Sequence, residues 1–504
     1  MPAIAAFFDR LREHRLAPLL ALILGALTPL SLAPFHYWPV ALLTIGLFSE
    51  LLRDQPIRKA VWRSFLFGFG LWAYGASWLY VSIHDYGDTS IWLAVPMVGV
   101  VAAVMGLFFA LMGALYERLS FRGFHLLPFA ALYVLCEWLR SWLFTGFPWL
   151  FTGYAFTDTV LAGYAPLLGI FGVSAAAIMS AQGLFTVLRE GLRAWKIALG
   201  VIALWLGGFG LYQVQWTQVD HEALTVSIVQ GNIPQESKWA LEWRDKTINI
   251  YRDLSKNEWG RDIVIWPEAA LPMFYHEATD VLEEMQNHAL TGHTAFVTGI
   301  PYAQLAPNQH DVEYYNSIIA LGEGNGLYNK QRLVPFGEYV PFESLLRGLM
   351  PFFDLPMSGF NWGKPDQMPL LVKDHLMAPY ICYEIAYPDL VRRAASHADI
   401  LSTISNDGWF GGSIGPYQHF QMVQMRALET GRQIIRATNN GISAIIDEKG
   451  RVVARAPQFQ RLVLRGTIHP THGDTPYVAF GNIPVLILCA VLLLISILPR
   501  RQQR

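Results

Sequence analysis

Seven apolar runs, then one long polar stretch, then an eighth apolar run set the limits on what this chain can become. Crossing a bilayer takes a helix of about 20 mostly apolar residues. The runs lie at 16–35, 38–52, 64–83, 91–116, 124–144, 161–188, 197–212 and 477–498. Lipid satisfies no backbone hydrogen bond, so a segment that spans it must be helical or part of a closed barrel. The second and seventh runs are short and leave little room for tilt, while the fourth and sixth are long enough to tilt. The first is not a cleavable signal, because no polar mature start follows it and more apolar runs come at once. A content of 53% hydrophobic and 15% charged residues over 504 positions argues against a purely soluble protein.

Lys and Arg set the expected orientation. They cluster at Arg10, Arg12 and Arg15, at Arg53, Arg58, Lys59 and Arg63, at Arg118 and Arg122, at Arg189, Arg193 and Lys196, and at Arg500, Arg501 and Arg504. Eight crossings put every cluster on one side. The expectation is a membrane domain of seven helices over 1–219, an extracytoplasmic domain over 220–472, and a last helix with a basic tail over 473–504. Both termini then face the cytoplasm. Glu137 and Arg140, three residues apart near the end of the fifth run, are expected to face the bundle or its outer interface, holding a lipid head group or pairing for structure.

Between runs seven and eight the periodicity changes. Short β-branched segments bounded by turn residues predict strands at 224–230, 262–266, 295–299, 317–321, 378–382, 400–404, 442–446 and 462–466. Helical stretches are predicted at 241–256, 277–289, 387–395 and 417–433. Strands alternating with helices argue for a layered α/β domain. The Pro-, Phe-, Leu- and Met-rich segment 340–363 is expected to be a membrane-dipping lid.

A net charge of −2 gives no reason to expect nucleic acid as a partner. No Cys/His cluster has zinc spacing and no Gly-rich loop could cradle phosphate, so neither metal nor cofactor is expected. Of three cysteines, Cys136 and Cys489 lie in apolar runs, which leaves Cys382 alone in the polar domain. A thiol attacks as thiolate and its ordinary pKa is about 8.5, so it needs a base or a cation nearby. Trp266-Pro267-Glu268 offers a carboxylate and Asn329-Lys330 an ammonium, each beside a strand-like run. Base, oxyanion clamp and nucleophile are together the parts of covalent acyl transfer.

The motifs Asp262-Ile-Val-Ile-Trp-Pro-Glu268, Tyr328-Asn-Lys330, Pro335-Phe-Gly-Glu338 and Pro379-Tyr-Ile-Cys-Tyr-Glu-Ile385 occur in that order. From about 224 to 467 the chain resembles the nitrilase, or carbon–nitrogen hydrolase, superfamily. With Ser405-Asn-Asp-Gly-Trp-Phe-Gly411, Leu333-Val-Pro-Phe-Gly-Glu-Tyr-Val-Pro341 and the flanking runs, the whole chain resembles the bacterial apolipoprotein N-acyltransferase family. The resemblance implies an αββα sandwich joined to an eight-helix membrane bundle in the inner membrane, with the sandwich on the periplasmic side. It implies Glu268 as general base, Lys330 as oxyanion-stabilising lysine and Cys382 as nucleophile. Glu338 would support the lysine, Tyr383 and Glu384 would serve beside the nucleophile, and Trp239 would lie near the substrate entrance. The implied partners are a phosphatidylethanolamine-like acyl donor and a diacylglyceryl apolipoprotein acceptor, worked on by a monomer. Two other readings stay open: a membrane-anchored amidase using the same triad with water, and a transporter or scaffold whose outer domain is degenerate.

Overall fold

The computed structural model describes residues 2–120, 125–306, 310–340 and 359–497. Of the expected lid at 340–363, residues 341–358 lie outside them, as do Arg122, Arg500, Arg501 and Arg504. The chain divides into two compact units. One is drawn from Met1–Tyr80, Trp92–Gln215 and Ala479–Arg504, the other from Val81–Ile91 and Trp216–Val478.

The first unit is helical, and a helix falls in each apolar run. Among the described residues two stretches, Ile91–Leu119 and Val160–Gln213, are long and apolar enough to cross a membrane. The second of them is broken by the turn Gly191–Ala194. Two further pairs, Ala3–Glu13 with Ala17–Ser31 and Ile57–Gly75 with Trp78–His84, would count only as spans bent by 100° and 58°. Trp38–Leu52, Leu126–Arg140 and Ile483–Ile497 have 15 residues each. At about 1.5 Å per residue each falls short of a hydrocarbon layer of about 30 Å. Helix length by itself therefore does not carry the expected count of eight crossings.

Close packing rests on small residues. A Cβ on Gly25 would stand 2.0 Å from the Phe67 carbonyl oxygen, and one on Gly70 would stand 2.2 Å from that of Leu22. Helices Ala17–Leu27 and Ile57–Gly75 thus meet backbone to backbone. Glu137 and Arg140 are fully buried. Glu137 Oε1 accepts from the Thr152 N–H (2.7 Å), and Arg140 Nη1 donates to the Trp149 carbonyl (3.2 Å). The guanidinium also sits 5.2 Å from the Trp72 ring centre and 5.5 Å from that of Phe151. The two charges pin the loop between them and Thr152, which favours the structural reading of the pair.

Among the described residues the second unit has a separate two-stranded pair, Gln218–Val219 with Thr471–His472, and is built on a sheet of twelve strands. They are β1 (Leu224–Gln230), β2 (Ile263–Ile265), β3 (Ala295–Leu305), β4 (Val312–Gly322), β5 (Gly324–Asn329), β6 (Leu370–Val372), β7 (His375–Ile381), β8 (Ile400–Ser405), β9 (Ile434–Thr438), β10 (Ala444–Ile446), β11 (Val452–Arg455) and β12 (Leu462–Ile468). The order across the sheet is β11-β10-β9-β8-β7-β6-β5-β4-β3-β2-β1-β12. β1, β2 and β3 run parallel, as do β7, β8 and β9. Among the described residues, four helices of eight or more residues accompany them: α1 (Arg244–Ser255), α2 (Thr279–Thr291), α3 (Pro388–Ala395) and α4 (Gly415–Thr430).

Side-chain alternation along the strands makes the layers. Val226, Ile228, Ile263, Ile265 and Val297 share one core with Ile381, Ile400, Ile404, Ile435 and Ile445, so the two halves of the sheet pack face to face. The intervening Val229, Val264 and Phe296 point the other way, onto Ile248 and Tyr251 of α1 and Leu282 and Met285 of α2. Ala378, Tyr380, Leu401 and Ile434 likewise meet Val391 of α3 and Val423 and Ala427 of α4. The result is an α–β–β–α sandwich. All eight predicted strands are present, β1 with its predicted ends and the other seven with shifted ones, and β5, β6, β9 and β11 of the sheet have no predicted counterpart.

Candidate active site

The candidate residues stand just beyond the carboxyl ends of strands. Glu268 follows β2, Lys330 follows β5, Cys382 follows β7 and Asn406 follows β8. Pro267 cannot donate to a ladder, so β2 ends before it and the chain turns. Gly299 on β3 allows that turn to lie close. A Cβ there would come within 2.8 Å of the Pro267 carbonyl oxygen and the Ala269 nitrogen. Behind it the Trp266 ring stacks on Tyr251 (centroids 5.0 Å apart) and its indole N–H donates to Ser255 Oγ (2.8 Å).

Glu268, Lys330 and Glu338 form one buried cluster. Lys330 Nζ lies 2.7 Å from Glu338 Oε1 and 3.8 Å from Glu268 Oε1. Asn316, within β4, donates from Nδ2 to both carboxylates, at 2.8 Å to Glu268 and 3.0 Å to Glu338. The Asn406 N–H donates to Glu268 Oε2 (2.7 Å), and the Val334 N–H donates to Glu338 Oε2 (2.8 Å). Every carboxylate oxygen thus has a donor, as burial demands. A tight turn at Val334–Glu338, closed by the Glu338 N–H on the Val334 carbonyl (2.9 Å), returns Glu338 to the lysine eight residues earlier. Burial works against the Lys330 charge, yet Glu338, Glu268 and Cys382 together raise its pKa above the ordinary lysine value.

Cys382 is partly buried and holds φ at +52°. A side chain in this left-handed region is strained by about 1–2 kcal/mol. Burial first, and then the Glu268 charge, push the thiol far above its ordinary range, while Lys330 pulls it back. The resting group is therefore a thiol. Tyr383 is buried with its ring edge-on to Tyr387 (centroids 5.1 Å apart).

Glu384 has both oxygens occupied. Oε1 accepts from Tyr328 Oη (2.9 Å) and from the N–H groups of Gln331 (2.6 Å) and Arg332 (3.1 Å), and Oε2 from that of Ile381 (2.8 Å). It anchors the backbone before Cys382 and after Lys330, which leaves no oxygen free for a substrate. Burial pushes its carboxyl up to about 7 from an ordinary 4.5, against the pull of the Ile381 N–H and Lys330. The fold then binds this proton more tightly than the unfolded chain does. Its contribution to stability is full below pH 4.5 and is lost as pH rises through about 7. Glu384→Gln mimics the protonated form, so the melting temperature of the wild type relative to this variant should fall across that window; a constant difference would contradict the assignment.

Trp239 is half-buried, and its indole N–H has no acceptor among the described residues. Its neighbour Lys238 is not among the residues that the sequence motifs single out. Lys238 is fully buried and donates from Nζ to the main-chain oxygen of Glu268 (2.9 Å). Burial brings its pKa down to about 8, opposed by Glu268 and Cys382. Asn406 was visible within the Ser405–Gly411 motif, and Lys238 stood beside Trp239. Asn316 is a polar residue inside a strand and carried no local signal. Among the described residues no group of three or more His, Cys, Asp or Glu is arranged to hold a metal ion.

Comparison with known proteins follows the same division of the chain. Residues 24–183 match the apolipoprotein N-acyltransferase N-terminal domain, and residues 225–477 match carbon–nitrogen hydrolase. Apolipoprotein N-acyltransferase of Azotobacter vinelandii is 45% identical over 495 residues, covering 96% of each chain. The Pseudomonas paraeruginosa protein of the same name is 46% identical over 491 residues, again covering 96% of each. That of Vibrio cholerae is 39% identical over 492 residues, covering 94% of this chain and 96% of its own. Relatedness at this level along nearly the whole length, helical unit and sandwich alike, means that the chain belongs to the apolipoprotein N-acyltransferase family.

Proposed function

We propose that this chain moves an acyl group from a membrane phospholipid, through a thioester on Cys382, to the α-amine of a diacylglyceryl-modified N-terminal cysteine of an apolipoprotein. The observation that carries the chemistry is Lys330 Nζ set between Glu268 (3.8 Å) and Glu338 (2.7 Å), in electrostatic reach of the Cys382 thiol. Glu268 takes the proton from Cys382 as sulfur attacks the ester carbonyl. Lys330 faces the oxyanion that forms, held in place by Glu338. The ester C–O bond breaks, the leaving alkoxide takes the proton from Glu268, and a lysophospholipid departs. The incoming amine then attacks the thioester, gives its proton to Glu268 and leaves as an amide, while sulfur recovers a proton. This is a ping-pong cycle.

The helical unit fits such substrates. Each methylene drawn from lipid into water is worth about 0.8 kcal/mol, so whole-chain extraction by a soluble enzyme would be prohibitive. An anchored sandwich lets acyl chains enter sideways. On this reading residues 1–219 form seven membrane helices, 220–472 lie on the periplasmic side, and 473–504 return to a cytoplasmic tail. The donor is phosphatidylethanolamine-like, and a monomer suffices.

The test uses the full chain in detergent with phospholipid carrying a labelled acyl group and no acceptor. Label should appear on the peptide containing Cys382, be released by hydroxylamine, and pass to the amine of a diacylglyceryl cysteine peptide when one is added. No adduct, together with ammonia release from small amides, would instead establish the amidase reading that the carbon–nitrogen hydrolase match also accommodates.

A further inference from the structure

A second polar cluster lies behind the nucleophile. His419, in the first turns of α4, sends Nε2 to the main-chain oxygen of Cys382 (3.0 Å). A carbonyl oxygen offers only lone pairs, so Nε2 must carry the proton. On the far side of the ring, Nδ1 lies 3.2 Å from Arg436 Nη2 and 3.2 Å from Asp407 Oδ1. Arg436 Nη2 donates to Asp407 Oδ2 (2.8 Å) and its Nε to the Ile442 carbonyl (3.0 Å). His419, Asp407 and Arg436 are each at most 2% exposed. Burial and then the Arg436 charge hold the imidazole pKa below its ordinary value, against the pull of Asp407; in the neutral ring Nδ1 accepts from Arg436 Nη2, and Asp407 acts on the ring by fixing that guanidinium, not by a bond to Nδ1. Gly441 makes room, since a Cβ there would stand 2.1 Å from Asp407 Oδ2.

None of these groups has a part in the transfer just described. What they meet is the peptide that sets the direction of the thiol. Cys382 sits at φ +52°, a conformation its side chain resists. Two clamps hold it there. Before it, Glu384 accepts from the Ile381 N–H (2.8 Å); after it, His419 donates to the Cys382 carbonyl. Releasing the second clamp frees the peptide to turn toward the ordinary region and carries sulfur away from Glu268 and Lys330.

Resting on the acyl-transfer reading above, we infer that His419 is a positioning residue of the nucleophile: its Nε2–H, oriented by the Asp407–Arg436 pair, holds the Cys382 carbonyl and so aims the thiol. A glutamine places its amide nitrogen near the imidazole Nε2 position, and an asparagine near Nδ1. His419→Gln therefore retains a donor to the carbonyl and His419→Asn does not, with the ring lost from both.

The experiment measures single-turnover thioester formation by the full chain in phosphatidylethanolamine bilayer discs, with melting temperatures recorded alongside. His419→Ala and His419→Asn should slow the step about 10- to 100-fold with the phospholipid KM changed by less than about twofold, since misplacing a reacting atom by about 1 Å costs that order of rate. His419→Gln should recover most of the loss. Should His419→Ala fail to fold, the contrast between Gln and Asn carries the test. Equal loss in Gln and Asn variants of equal melting temperature, or wild-type rates in His419→Asn, would overturn the assignment. A Cys382→Ala control that acquires label as the wild type does would sink the acyl-transfer reading itself, a separate failure.

Discussion

Cys382→Ala is expected to lose acyl transfer by roughly 10⁴-fold or more, the order seen when a covalent nucleophile is removed from a group of residues acting as a unit. The fold should survive, because the thiol is in no disulfide and makes no hydrogen bond among the described residues. Stability adds a sharper test. At φ +52° a Cβ is unwelcome and glycine is not. Cys382→Gly should therefore be as inactive as the Ala variant, yet more stable than it by about 1 kcal/mol. Thermal or denaturant melts of the full chain, read beside label transfer, check both. Residual transfer within tenfold of wild type would remove sulfur from the mechanism. A Gly variant less stable than Ala would mean that this backbone is not strained in solution.

Lys330→Met should be costly twice over. The ammonium is 1% exposed, and its loss leaves Glu268 and Glu338 buried with Asn316 as the donor shared between them. Breaking a buried ion pair from one side costs about 3–5 kcal/mol. Losing a charge aimed at a developing oxyanion costs about 10²- to 10³-fold in rate. The two effects separate in a double variant. Lys330→Met with Glu338→Leu removes the nearer of the two stranded charges and should recover part of the stability, while transfer stays at the single-variant level. Recovery of transfer in the double variant would show that Lys330 serves only to balance Glu338. Lys330→Arg should not rescue, because a forked guanidinium does not fit where a single Nζ sits 2.7 Å from Glu338.

Much of the sandwich was legible because alternation is a local property. β1, β8 and β12 are β-branched runs whose residues point in turn to the sheet interior and to a helix layer. The strands that escaped prediction have reasons. β9 carries Arg436 fully buried at its centre, and its apolar residues continue the pattern of α4, so the predicted helix runs on to 433. In fact α4 stops at Thr430, where Gly431 turns left-handed at φ +61°. β5 begins Gly-Asn-Gly and looks like a turn; only its antiparallel partners β4 and β6 make it a strand. Likewise, Leu126–Arg140 is a 15-residue helix within a longer apolar run, because apolarity marks where lipid is tolerated and not where helical hydrogen bonding ends.

From its sequence alone this chain declares its apolar runs, its change of period after the seventh of them, and the motifs that bear a carboxylate, an ammonium and a thiol. Those are properties of neighbouring residues, and neighbours determine periodicity and chemical type. Which groups meet was decided only in three dimensions. The Asn406 N–H reaches Glu268 across 138 positions, and His419 reaches Cys382 across 37. Asn316 bridges Glu268 and Glu338 from within a strand that shows no motif. Such meetings follow from the order and direction of strands in a folded sheet, and strand pairing is settled by the packing of the whole core.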